Sequence, residues 1–109
     1  MLVAGAERKL AAGRTLVEAA MPAEALHPLR GAIALACRAL CATDPGAEEA
    51  ALLSAIPSAD ADALMRAGGF ARAFESSAQP PPEPLIAQCV RDAADLVARA
   101  RGAMAITPL

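Results

Sequence analysis

Aromatic side chains are nearly missing from this chain of 109 residues, which has no Trp, no Tyr and two Phe. β-Branched residues are few as well. Strands favour both classes, so an extended sheet has little to build with. Long apolar runs are also missing. The longest stretch without a charge, residues 50–59, is interrupted by Pro57. A membrane span needs about twenty apolar residues, so no crossing helix and no membrane partner are expected. The first thirteen residues lack the basic-then-apolar order of a secretory signal.

A surplus of one charge is missing too. Ten Lys and Arg stand against twelve Asp and Glu, a formal net charge of -2. Such a balance steers the chain toward neither nucleic acid nor an anionic membrane, and direct nucleic-acid binding is not expected. The basic residues are almost all Arg and are scattered, which reads as high-GC coding drift. Three cysteines, Cys37, Cys41 and Cys89, make an odd count without framework spacing. They read as free, mostly buried thiols of a cytoplasmic protein.

What is present is helix-forming. Hydrophobic residues make up 56% of the chain, with alanine dominant. Alanine, Leu, Arg and Glu are strong helix formers. The length suits one domain, residues 1–109, with one modest core.

Apolar periodicity places the elements. A first helix is expected over 3–20, its stripe carried by Val3, Ala6, Leu10, Val17 and Met21. Gly13 weakens it by about 1 kcal/mol relative to Ala. Pro22 suits the first turn of a second helix over 22–42, and Pro28 inside it should kink or restart it near His27. From Leu29 to Ala42 only Arg30 and Arg38 are charged. Leu29, Ile33, Ala36, Cys37 and Leu40 make one face, and Ala32, Leu35 and Ala39 make another. A helix apolar on most sides is surrounded by others, which makes this the expected central helix.

Thr43-Asp44-Pro45-Gly46 is a turn and restart signal. A short helix over 45–56 should bury Leu52, Leu53 and Ile56. Pro57 breaks it, and Ser58 is the expected cap of a short fourth helix, with Asp60 and Asp62 in its first turn. That helix carries Leu64 and Met65 and should stop at Gly68-Gly69, with a further turn or two over 70–75. Gln79-Pro80-Pro81-Pro82-Glu83-Pro84 reads as an extended connection. The last helix, over 84–104, carries the stripe Ile86, Cys89, Val90, Ala93, Leu96, Val97, Ala100 and Met104. Its Asp95 and Arg99 lie four apart in the favourable order. The tail from Ala105 should fray. The expected fold class is all-α, an up-and-down bundle of four main helices plus one or two short ones.

No motif nominates a catalytic, cofactor-binding or metal residue. His27 is the one histidine. General-base work needs a positioned partner, and a helix-surface residue beside Pro28 is the simpler reading. Cys37, Cys41 and Cys89 match no two-plus-two zinc pattern and read as core residues. Gly68-Gly69 is followed by no Lys-Ser or Lys-Thr, so it is no phosphate loop. Asp60 and Asp62 point apart on a helix and read as first-turn charges. Arg99 and Arg101 also point apart and read as a solvated face.

The order of elements resembles HEPN-like helical bundles of prokaryotes. "AERKLAAGRTLVEAAMPAEAL", residues 6–26, looks like their first helix and its turn. "HPLRGAIALACRALC", residues 27–41, looks like their buried second helix, and "LIAQCVRDAADLVARARGAM", residues 85–104, like their closing helix. A related resemblance is to C-terminal helical segments of some bacterial Swi/Snf-type helicases, on the run "PAEALHPLRGAIAL" at 22–35. HEPN ribonucleases carry Arg, four to six residues, then His. The matching positions before His27 are Pro22, Met21 and Ala20, so the catalytic carry-over fails.

The resemblance implies the non-catalytic branch, an interaction or dimerising module. It can be an accessory domain or fragment of a larger helicase or ATPase, without a cofactor. The alternatives are a nucleotide- or RNA-processing protein with a site of Arg and acidic residues on different helices, and an antitoxin-like partner of a nucleotidyltransferase. A homodimer through the first and last helices is expected, because Leu16, Leu35, Ile86 and Val97 are hard to seat together around one central helix.

Overall fold

The computed structural model describes residues 2–40, 49–74 and 79–106. The chain is all-α, with four long helices and one short one packed as a bundle. They are α1 (Leu2–Glu18), α2 (Pro22–Leu40), α3 (Glu49–Ala55), α4 (Ser58–Phe74) and α5 (Glu83–Ile106). Helix α2 packs against α1, α4 and α5, which places it at the centre. Its Leu26, Leu29, Ile33, Ala36 and Cys37 are fully buried.

Helices α1 and α2 form an antiparallel hairpin, and small residues set its register. A Cβ built on Gly5 would lie 3.3 Å from Leu35 Cδ1, one on Gly31 2.8 Å from Lys9 Cδ, and one on Gly13 2.6 Å from Leu29 Cδ2. As positions rise along α1 their neighbours fall along α2. Gly13 is buried. Its lost helix propensity is therefore offset by letting α1 approach Leu29.

The hairpin turn is a Schellman motif. Met21 N donates to Leu16 O at 2.8 Å and Ala20 N to Val17 O at 3.1 Å. Ala20 sits at φ 61°, the left-handed position where glycine is usual. Met21 O accepts from Ala25 N, so Pro22 stands at the first helical position as expected. Helix α2 then runs unbroken through Pro28, so the expected restart near His27 does not occur. The carbonyl released by Pro28 belongs to Glu24, an exposed residue that water reaches.

Two further boundaries differ from expectation. Helix α4 does not stop at Gly68-Gly69 but continues to Phe74. Ala63, Leu64, Ala67 and Ala71 bury one continuous face, and that packing outweighs about 1 kcal/mol of lost propensity per glycine. Its cap is Pro57, not Ser58. Pro57 O accepts from Asp60 N and Ala61 N, which places Ser58 at the first helical position. Pro82 caps α5 likewise, accepting from Leu85 N and Ile86 N. Helix α5 reaches Ile106, two residues beyond its expected end.

In the third helix region Leu52 and Ile56 are buried and Leu53 is half-buried. The stripe of α5 is buried at Ile86, Cys89, Ala93, Leu96, Val97 and Ala100, with Val90 half-buried. The Thr43–Gly46 turn, Cys41, Glu75 and the last three residues lie outside the described residues, as does the side chain of Met104. Among the described residues, no helix is long and apolar enough to cross a membrane.

Candidate functional site

Two clefts flank α4, and their chemistry is opposite. The first lies between α4 and α5. It encloses about 230 Å³ and is lined by Asp60, Arg66, Asp92, Asp95 and Arg99 beside Ala59, Ala63 and Leu96. Its charges are paired with one another. Arg99 Nη2 donates to Asp60 Oδ1 at 2.7 Å and Arg99 Nε to Asp95 Oδ2 at 3.1 Å. Arg66 Nη2 donates to Asp92 Oδ2 at 2.8 Å, and Gln88 Nε2 donates to the other oxygen of Asp92 at 2.8 Å. The guanidinium of Arg99 is held above its ordinary pKa, first by the hydrogen bond to Asp60. That of Arg66 is raised in the same way by Asp92.

Asp60 is the one buried charged residue among those described, 6% exposed. The sequence reading placed Asp60 as a first-turn charge and Arg99 on a solvated face. Asp60 does stand in the first turn of α4 and Arg99 is exposed, but the burial of Asp60 and its pairing with Arg99 were not foreseen. Asp60 points inward from the first turn of α4, and Arg99 bends over from α5 to neutralise it. Asp62 and Arg101 do stay exposed, and Arg101 reaches Glu7 on α1 at 3.5 Å. The pairs join α4 to α5 in antiparallel register, since 60 faces 99 and 66 faces 92. This gathering of Arg and acidic residues on different helices acts as a clamp between helices.

The second cleft lies between α2 and α4. Two adjoining cavities of about 220 Å³ each share Arg30, Gly68 and Arg72. One continues over Leu53, Leu64 and Met65. The other continues over His27 and Ala71. Of the described residues that line them, three are basic and none is a carboxylate. Gly68 is buried, and its missing side chain makes the room. A Cβ there would stand 3.1 Å from Arg30 Nε and 3.6 Å from Arg72 Nη1. Both guanidiniums thus converge on one point over the backbone of α4. Met65, at the apolar end, is 59% exposed.

His27 is exposed on α2 and stands at the rim of this cleft. Cys37 and Cys89 are buried and form no disulfide. Burial, with a smaller push from Asp92, raises the Cys89 thiol to about 11. A buried thiol so high is a poor nucleophile at neutral pH. Among the described residues, no group of three or more His, Cys, Asp or Glu is placed to hold a metal ion.

Among the described residues, the surplus of outward apolar side chains expected from composition is not found. Ile86 and Val97 are buried, and Leu16 and Leu35 pack half-buried against the core. The exposed large hydrophobic residues among those described are Met21 and Met65. Sequence reading missed the α2–α4 cleft. The usable signal was a glycine, Gly68, inside a helical pattern, but its Arg neighbours come from two helices.

No protein-family model, no curated protein and no solved structure matches the chain.

Proposed function

We propose that this chain is a non-catalytic helical interaction module that docks a protein partner on the face between α2 and α4. The observation that carries this is Met65, a large apolar side chain 59% exposed beside an apolar cleft floor. Exposed methionine adapts its shape to a partner at little cost. The α4–α5 charges are already matched among themselves, and the buried Cys89 thiol is protonated at neutral pH. Neither offers a reacting group to a substrate. The resemblance to HEPN-like bundles and helicase-associated segments points the same way. In that reading the partner is a larger helicase or ATPase, or a nucleotidyltransferase.

A homodimer through α1 and α5 is the weaker form of this reading. The outward face of α1 carries Arg8, Lys9, Arg14 and Glu18, and that of α5 carries Arg91, Asp95 and Arg101. Such faces offer little apolar area for a two-fold contact.

A photocrosslinking amino acid placed at position 65, and in a control at position 14, tests the reading in living cells. A discrete protein adduct is expected from position 65 and none from position 14. Light scattering separates the forms, because a monomer has the 11.0 kDa mass of the chain. A chain that is monomeric and gives no adduct at position 65 overturns the docking reading.

A further inference from the structure

Helix α4 has a cleft on each side, and what holds it on one side sets its position on the other. We infer that the ion pairs Arg66–Asp92 and Arg99–Asp60 are a salt-sensitive latch. Closed, they fix the roll of α4 about its own axis on α2, and with it the width of the α2–α4 cleft beside Met65. Loosened, they let α4 turn and reshape that docking face. The inference rests on the docking reading above and gives it a means of regulation.

Three observations carry it. First, α4 meets α5 over far less backbone than it meets α2. The gap is the cleft of about 230 Å³, and among the described residues Arg66–Asp92 at 2.8 Å and Arg99–Asp60 at 2.7 Å cross it. Paired charge spans that side, where close packing of the two backbones does not. Second, the buried face of α4 is smooth. Besides Asp60 it carries one large side chain, Leu64, among Ala63, Ala67, Gly68 and Ala71. Helices resist rolling where large side chains interlock as ridges and grooves. A face of alanine and glycine leaves Leu64 as a pivot and little else to stop a turn. Third, the arginine ends of both pairs are wet, their side chains 39% and 46% exposed. Dissolved ions reach such pairs and screen them. Arg66 directly follows Met65 in the sequence, so a turn that carries Arg66 away from Asp92 moves Met65 as well.

The experiment follows both sides of α4 at once. The full chain is labelled with ¹³C-methyl methionine and ¹⁵N. Sodium chloride is raised from about 0.01 M to about 1 M, which shortens the screening length from about 30 Å to about 3 Å. The Met65 methyl resonance reports the docking face, and that of Met21, exposed in the α1–α2 turn, is the reference. Residual dipolar couplings of the α4 amides, referenced to those of α2, read the turn itself. Asp92→Asn takes a charge from the latch without altering α4. Glu83→Gln removes an equal charge from an exposed position at the start of α5. Circular dichroism shows that each variant keeps its helix. Arg66→Gln, which breaks the same pair from the other side, replaces Asp92→Asn if that protein does not fold.

The Met65 resonance is expected to move progressively with salt while Met21 stays, and the α4 couplings should change in step. Asp92→Asn should begin near the parent's high-salt position and lose most of the salt response. Glu83→Gln should titrate like the parent.

A still Met65, equal movement of Met65 and Met21, or an Asp92→Asn protein with the parent's salt response would overturn the latch. So would a Met65 shift without any change in the α4 couplings, which is a direct effect of salt on the resonance. An adduct at position 65 with a motionless α4 removes the latch and leaves docking standing. A salt-driven turn of α4 with no adduct overturns its link to docking.

Discussion

Asp60 Oδ1 accepts a 2.7 Å hydrogen bond from Arg99 Nη2 across 39 positions of sequence. The partners are unequal, with the Asp60 side chain 8% exposed and that of Arg99 46% exposed. Removing the arginine leaves a buried carboxylate without its cation. Arg99→Ala should cost about 1–3 kcal/mol. Arg66→Ala breaks a wetter pair and should cost about 0–1 kcal/mol. Urea unfolding of both variants checks the order, and equal losses would mean that Asp60 is solvated.

Gly13 tests the closeness of the α1–α2 hairpin. In an isolated helix Gly→Ala gains about 1 kcal/mol. Here the new methyl meets Leu29 Cδ2 at 2.6 Å and Cγ at 2.7 Å. Overpacking a tight contact costs about 1–3 kcal/mol. Gly13→Ala should therefore destabilise, while Gly69→Ala should stabilise by about 0.5–1 kcal/mol. Thermal melts of the pair moving in opposite directions are the expected result. A Gly13→Ala protein that melts higher would place the two helices farther apart.

Cys89 gives a pH dependence whose sign is fixed. Its folded pKa of about 11 lies above the ordinary thiol value of 9.0, chiefly because of burial. The neutral thiol is favoured in the fold, so its contribution is fully present below about pH 9 and is lost as pH rises toward about 11. Stability should fall over that window in the parent and fall less in Cys89→Ala. Thiol labelling at pH 8 should reach Cys89 only on unfolding. Rapid labelling of the native protein there would contradict its burial.

Ile33 is fully buried on the central helix. Ile33→Asp puts an unpaired charge among Leu and Ala side chains, at a cost of several kcal/mol. Loss of cooperative unfolding is expected by circular dichroism. A variant that melts like the parent would remove α2 from the centre.

The sequence disclosed what depends on periodicity. The position of α2 at the centre followed from Leu29, Ile33, Ala36 and Cys37 on one face and Ala32 on another. The stripe on α5 followed from the same rule. What stayed hidden depends on distance between helices. Asp60 and Arg99 each looked like ordinary surface charges, because helical phase alone does not say which two helices meet. Arg30 and Arg72 stayed unremarkable among scattered arginines for the same reason. Gly68-Gly69 misled because glycine ends a helix only where tertiary packing does not hold it. Ser58 misled because Pro57 offered its carbonyl one residue earlier.

The turn at Ala20 bears on the order in which the chain folds. It joins neighbouring helices through a very short loop, whereas α5 must find α2 across the whole segment from 41 to 82. Closing a short loop costs less entropy, so the α1–α2 hairpin is expected to form early and α5 to dock late. A left-handed alanine costs about 1 kcal/mol more than glycine. Ala20→Gly should therefore speed refolding in stopped-flow traces and leave unfolding unchanged, while losing Arg99 should chiefly speed unfolding. The lifetime of the native state is then expected to follow how firmly α5 is held on α2 and α4, and its rate of formation the turn at Ala20.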